Sequence, residues 1–399
     1  MISNKMQSLV ANSSVIRAMF DEGKRLSKIY GEENVFDFSL GNPNVEPPEV
    51  IKESIKDILD NEVASYVHGY MNNSGFEDVR TTIAEHESKK HGMNISFESI
   101  VMTVGAAGGL NIIFKTLLNP GDEVITFAPF FGEYRAYSAN YDANLVVVEP
   151  DIDTFEPNIE ALKSAITPKT KIVIVNSPNN PTGVIYSDAA LTKLAEVLKQ
   201  KEEELGIDIF LISDEPYREI VYDNAEVPCL LKYYKNTIIG YSYSKSLSLP
   251  GERIGYLVVH PEIADFGDVM GSLNVANRIL GFVNAPSLFQ RVVAKNLNAE
   301  VDVNVYKKNR DALYNHLVSI GFECVKPQGA FYLFPRSPIA DDKKFCEDAK
   351  QFNLLLVPGS AFGCPGHFRL SYCISYEKII NSQIIDNKNP SYLYYITSE

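Results

Sequence analysis

The sequence predicts an α/β protein, with a large domain around a mostly parallel central sheet and a smaller α+β domain beside it. Two observations carry this. Between about residues 99 and 260, short β-rich runs alternate with helical patterns, as strand–helix–strand units require. Several of those runs are apolar on both faces, as central strands covered by helices on each side must be.

Taken in order, residues 9–31 read as one amphipathic helix. Strands are expected at 100–104, 123–127, 145–148, 171–176, 209–213, 237–243 and 254–259. Helix-like stretches at 108–118, 159–165 and 189–205 separate them, the last with alternating charge on its exposed face. Residues 284–320 read as long helical segments, and 321 to about 376 mix short strands with a helix near 343–351. The expected division is a large domain over 45–285 and a small one built from 1–44 and 286–399. After about residue 386, Asn, Pro and aromatic clusters break the helical period.

Composition narrows the function classes. The chain has 399 residues, is 45% hydrophobic and 22% charged, and carries a formal charge of −14. A phosphate backbone demands clustered Lys and Arg, so this acidity argues against a nucleic-acid surface. The five cysteines are scattered and show no C-x-x-C spacing, which fits reduced thiols better than disulfides or zinc, and no metal site is expected. No run of about 18 apolar residues occurs, and the first twenty residues lack an apolar core, so a cytoplasmic protein is expected.

Open α/β sheets bind ligands at the C-terminal ends of their strands. Four expected strand ends carry apt residues. The run Val101 to Gly109 passes from strand through Gly105, Ala106 and Ala107 into a helix, leaving backbone N–H groups free for an anion such as phosphate. The same run reads equally well as a ligand-free turn. In Asn176-Ser-Pro-Asn-Asn180-Pro-Thr-Gly183 the prolines and glycine are turn chemistry, but the density of amides exceeds what a turn needs. Asp214 emerges from an apolar strand, where an unpaired carboxylate is costly and wants a cation. Lys245, in Ser242-Tyr-Ser244-Lys245, would by itself read as a solvated loop cation. Cradle, amide, acid and lysine at four strand ends suit pyridoxal phosphate: a lysine amine forms a Schiff base with its aldehyde, and an Asp pairs with its pyridinium nitrogen.

The segment Ser242-x-Ser244-Lys245-(x)4-Pro250-Gly251-x-Arg253-x-Gly255 resembles the lysine signature of the class I/II aminotransferases, pyridoxal-phosphate enzymes of fold type I. The same family is matched, in order, by Tyr70-(x)4-Gly75-(x)4-Arg80, Gly105-Ala-Ala, Pro129-Phe-Phe131, Asn176-x-Pro-x-Asn180-Pro-Thr-Gly183, Asp214-x-x-Tyr217, Gly329-Ala-Phe-Tyr332 and Phe368-Arg369-Leu. The resemblance runs from about Asp37 to Tyr376. It departs at the end, where relatives usually close in a charged amphipathic helix and this chain has Asn, Pro and aromatic clusters.

The resemblance implies a role for each matched residue. Lys245 forms the internal aldimine and then serves as the proton-transfer base, and Asp214 pairs with the pyridinium nitrogen. Tyr217 and Asn180 hydrogen-bond the cofactor O3′, and Phe131 stacks on the ring. The amides around Gly105, Ala106 and Ala107, with Ser242, Ser244 and Arg253, hold the phosphate. Tyr70 reaches the phosphate of a partner subunit, which implies a homodimer. Arg369 forks onto the substrate α-carboxylate, and its place between Phe368 and Leu370 implies burial. Gly41 and Asn42 belong to a segment that closes over the substrate.

The expected reaction is transamination between an L-amino acid, best matched by aspartate, and a 2-oxo acid such as 2-oxoglutarate. Arg278 and Arg17 are the candidates for a distal carboxylate, and a surface role fits each as well. Ala107 stands where another aspartate-using branch has a lysine. An aromatic or broad-specificity aminotransferase and a C–S β-lyase remain open as alternatives. A ligand-sensing domain of a regulator is more remote, for want of a helix-turn-helix extension or a basic patch.

Overall fold

The computed structural model describes residues 2–11 and 15–388. Seven strands form the central sheet: β1 Ile100–Thr103, β2 Glu123–Phe127, β3 Asn144–Val148, β4 Thr170–Asn176, β5 Phe210–Asp214, β6 Thr237–Ser242 and β7 Gly255–Val259. Their spatial order is β1-β7-β6-β5-β4-β2-β3. Only β7 runs against its neighbours; the other pairings are parallel. The doubly apolar strands separate their faces by the two-residue period of a strand. Ile172 and Ile174 of β4 enter one core cluster with Phe210 and Ile212 of β5, whereas Val173, Val175 and Leu211 enter the opposite one. Helices cover both faces, among them Gly105–Leu117 and Phe266–Ile279 on one side and Asp188–Leu205 on the other.

Several boundaries shift by one to three residues from the sequence expectation, and three of the shifts have a clear local reason. The helix after β1 begins at Gly105 instead of 108, because Gly105 takes φ +73 and turns the chain at once from strand to helix. Strand β5 extends to Asp214, which pairs with Gly240 of β6. Strand β6 stops at Ser242, whose hydroxyl accepts from the Ser244 amide and caps a one-turn helix, Tyr243–Ser246. Within and before the stretch 9–31 the described residues form two helices, Asn4–Ala11 and Val15–Tyr30.

In the C-terminal third, Phe368–Ser371 lies antiparallel between Val357–Pro358 and Tyr332–Leu333. The N-terminal segment joins this part: Phe36–Asp37 pairs in parallel with Leu354–Leu355, and Phe38 O accepts from Ser371 N at 2.8 Å. That docking carries residues 39–41 to the ends of the central strands. The last helix, Tyr376–Lys388, runs to the end of the described residues, so the expected loss of order after about 386 falls almost wholly outside them. Among the described residues no helix is long and apolar enough to cross a membrane.

Candidate active site

A cavity of about 300 Å³ opens at the C-terminal ends of β4, β5 and β6 and beside the helix that follows β1. Three groups of residues distant in sequence line it. Ala106, Ala107, Ser242, Ser244 and Arg253 form one group, Phe131, Asp214 and Tyr217 a second, and Gly41, Asn180, Lys245 and Arg369 a third.

Lys245 sits on the one-turn helix after β6, and its Nζ donates to the Gly41 carbonyl at 2.7 Å. The ammonium lies 5.5 Å from the Phe331 ring centre. Desolvation, helped by the positive charges of Arg369 and Arg253 and opposed by Cys373, lowers its pKa to about 8. An ordinary lysine is almost wholly protonated at that pH.

Asp214 is 4% exposed. Tyr134 donates its hydroxyl to Oδ2 at 2.7 Å, while Oδ1 is buried with no hydrogen-bond partner. Desolvation raises the carboxyl to about 7; the Tyr134 bond pulls the other way, and Glu215 adds to the rise. A buried acid with an orphaned oxygen is built for a cation or a donor brought by a ligand. Its stability signature has a definite sign. Between the unfolded value of 3.8 and about 7 the folded chain binds the extra proton, so Asp214 destabilises the ligand-free protein progressively as pH rises through that window. The advantage of Asp214→Asn over wild type in urea unfolding should therefore grow by on the order of 4 kcal/mol from pH 4 to pH 7.5. Parallel stability curves for the two proteins would refute this electrostatic assignment.

The amide-rich loop divides its labour. Asn176 Oδ1 accepts from Asn180 N at 2.7 Å, and its Nδ2 donates to the Asp214 carbonyl at 2.7 Å. Asn179 Oδ1 accepts from the Thr182 amide and hydroxyl at 3.1 and 2.9 Å. Two amides thus build the loop, and Asn180 is left to meet Arg369, whose Nη1 donates to its Oδ1 at 3.0 Å. Arg369 is 2% exposed, so the expected burial holds. Its guanidinium lies between the rings of Tyr332 (4.6 Å) and Phe362 (4.8 Å) and also donates to the Ser39 carbonyl. Tyr217 is buried, and its hydroxyl lies 2.8 Å from that of Tyr332.

The N-terminus of helix Gly105–Leu117 lies beside Arg253 and shares the cavity lining with the hydroxyls of Ser242 and Ser244. Ser242 Oγ lies 2.8 Å from Ser244 Oγ, and Arg253 Nη1 donates to Pro250 O at 2.8 Å and approaches Ser244 Oγ at 3.5 Å. Gly105 does not line the cavity. It backs it, and a Cβ there would come within 2.6 Å of Arg253 Nη2. Helix N-terminus, arginine and two serines make an anion cradle.

Two predicted residues lie apart from this cavity. Tyr70 is 94% exposed, and Arg278 is exposed near the end of helix Phe266–Ile279. Their segments are stitched together: Asn277 Nδ2 donates to Asn73 O at 2.7 Å, Asn73 Nδ2 to Val283 O at 2.7 Å, and Asn284 Nδ2 to Asn72 O at 2.8 Å. Arg17 belongs to helix Val15–Tyr30, but its side chain lies outside the described residues. The sequence reading assigned no role to Tyr134, Tyr137 or Tyr332, all of which touch the cavity or its acid. Tyr332 was marked by the Gly-Ala-Phe-Tyr motif; nothing in sequence spacing marks Tyr134.

The family described as aminotransferase class I and II matches residues 33–381. The chain is 32% identical to a probable N-acetyl-LL-diaminopimelate aminotransferase of Bacillus subtilis, over 87% of each chain. It resembles the crystal structure of an aminotransferase from Eubacterium rectale, with TM-score 0.95 and 43% identity over 100% of both chains. It also resembles the aspartate aminotransferase of Thermus thermophilus solved with maleate, with TM-score 0.85 and 26% identity over 96% of this chain and 98% of that one. Sheet order, site and likeness agree, and the chain belongs to the class I and II aminotransferase family: it is an aminotransferase of fold type I.

Proposed function

We propose that the protein binds pyridoxal phosphate in this cavity and moves amino groups between an L-amino acid of the aspartate type and a 2-oxo acid such as 2-oxoglutarate. The observation that carries the reading is the buried, unpartnered Oδ1 of Asp214, in one cavity with Lys245 and the anion cradle. The residues fit the cofactor: a phosphate has its cradle, a ring cation its carboxylate, and an aldehyde its amine.

When bound, the cofactor supplies an aldehyde that condenses with amines and a ring that accepts the electrons released as the substrate Cα–H bond breaks. Lys245 provides the amine for that condensation and, once freed, moves the proton from the substrate Cα through Nζ; its lowered pKa leaves a useful neutral fraction near pH 8. Asp214 keeps the ring nitrogen protonated through its negative charge. Ser242, Ser244, Arg253 and the amides of Ala106 and Ala107 hold the phosphate, Phe131 covers the ring, and Tyr217 and Asn180 orient it. Arg369 binds the α-carboxylate with a planar fork, a geometry unavailable to lysine. Gly41, whose segment is tied to Lys245 and Arg369, excludes water.

Tyr70 and Arg278 are read as serving a second copy of the chain. Their joint exposure away from their own cavity supports a homodimer in which Tyr70 reaches the neighbouring phosphate and Arg278 a distal carboxylate. Arg17 is kept as a second candidate for that carboxylate. The division into a 45–285 domain and a 1–44 plus 286–399 domain is part of the same reading. All five cysteines are unpaired, which supports a reducing, cytoplasmic setting.

One observation favours a second substrate class. Among the described residues the cavity lining offers no cation beyond Lys245, Arg253 and Arg369, while Leu40, Phe131, Tyr137 and Tyr332 are apolar or aromatic. An aromatic or broad-specificity donor fits that wall. A panel of amino acids added singly to the cofactor-loaded protein separates the readings, through conversion of its absorbance to that of the cofactor's amine form. Aspartate and glutamate should convert it at least about tenfold faster than phenylalanine or alanine, the scale of one charged contact. Equal rates would remove the dicarboxylate reading, and pyruvate released from cysteine without an oxo-acid acceptor would point to a β-lyase.

A further inference from the structure

The acid of the cavity is held by a single neutral donor. Tyr134 is 1% exposed, lies in helix Glu133–Asn140, and reaches Asp214 Oδ2 at 2.7 Å. Its ring is fixed on two sides, near-parallel to Phe130 at 6.4 Å (16°) and edge-on to Phe131 at 5.7 Å (85°). One side chain therefore touches both the residue assigned to the cofactor's ring face and the residue assigned to its nitrogen.

The surroundings of the carboxyl leave Tyr134 alone in this position. The same helix brings Tyr137 near the acid, and the turn after β5 brings Glu215 and Tyr217. Among the described residues only Tyr134 hydrogen-bonds the carboxyl oxygens, since Asn176 meets the backbone carbonyl instead. Burial and the charge of Asp214 push the Tyr134 phenol well above its ordinary range, so it stays a neutral donor.

We propose that Tyr134 is a positioning residue that acts through Asp214. Tethering Oδ2 fixes the carboxyl plane and leaves Oδ1 as the oxygen free to meet the ring nitrogen. Donating to the ionised form keeps the acid charged where its apolar surroundings favour the neutral one. The nitrogen contact rests on the pyridoxal phosphate reading; the Tyr134–Asp214 coupling does not.

The test separates the two. Tyr134→Phe retains the ring and its contacts and deletes only the donor. In cofactor-free protein carrying 13C-labelled aspartate, the Asp214 carboxyl resonance is identified by its loss in Asp214→Asn. Its titration midpoint should move up by about 1–2 pH units in Tyr134→Phe, the worth of one hydrogen bond to a charged acceptor. Tyr134→3-fluorotyrosine, a stronger donor of nearly the same shape, should move it down, and it decides the question alone if Tyr134→Phe does not fold. With cofactor added, Tyr134→Phe should weaken binding in wild type and leave it unchanged in the Asp214→Asn background. A midpoint unmoved by the substitution, or the same binding loss in both backgrounds, would overturn the proposal. A protein that binds no pyridoxal phosphate yet shows the midpoint shift would sink the cofactor reading and leave the coupling standing.

Discussion

Lys245→Ala is expected to lower transamination by about 10⁴-fold or more, the upper range for losing a positioned acid–base group, because the same side chain also supplies the condensing amine. The fold should survive. Among the described residues the Lys245 side chain makes one hydrogen bond, to Gly41 O, and its ammonium is a desolvated group whose removal relieves a cost. The sign can be checked. The folded pKa of about 8 lies below the ordinary 10.5, so the cost is full below pH 8 and fades as pH rises to 10.5. Wild-type stability relative to Lys245→Ala should therefore climb across that window. Steady-state turnover beside unfolding curves at pH 7.5 and 10.5 tests both halves, and a variant retaining even a tenth of the activity would remove Lys245 from the chemistry.

Asp214→Ala should cost about 10³-fold or more in turnover with the cofactor still bound, on the scale of losing a preorganised contact to charge that develops in the transition state. Binding survives because the contacts that build the phosphate cradle, among Ser242, Ser244 and Arg253, do not involve Asp214. Turnover with saturating substrates, alongside the absorbance of retained cofactor, is the measurement. Near-normal turnover would remove Asp214 from its role, and loss of cofactor would mean that the acid anchors the ligand instead of tuning it.

The seven strands of the central sheet were legible because each is a short β-rich run between helical patterns, and several are apolar on both faces. The ends of these strands, and of the helix after the first, were legible to within three residues, and two of the shifts trace to single residues: Gly105 with its positive φ, and Ser242 as a cap. The cavity was found because the sheet gathers strand ends, so Ala106, Asn180, Asp214 and Lys245 converge by topology. What stayed hidden depends on three-dimensional register. Tyr134 meets Asp214 across 80 positions of sequence, and the Gly41 carbonyl meets Lys245 across 204. Such pairs leave no periodic trace. Nor could composition show that Asn176 and Asn179 build the loop while Asn180 faces Arg369, since three similar amides in one run differ only in where the backbone turns.

A covalent bond between one nitrogen and a vitamin-derived aldehyde underlies the function proposed for this chain. Reconstitution with pyridoxal phosphate, borohydride reduction, proteolysis and mass mapping reads that bond directly. A pyridoxyl mass confined to the peptide bearing Lys245, and absent from Lys245→Ala, is the result expected; no label, or a label shared among surface lysines, would contradict the account.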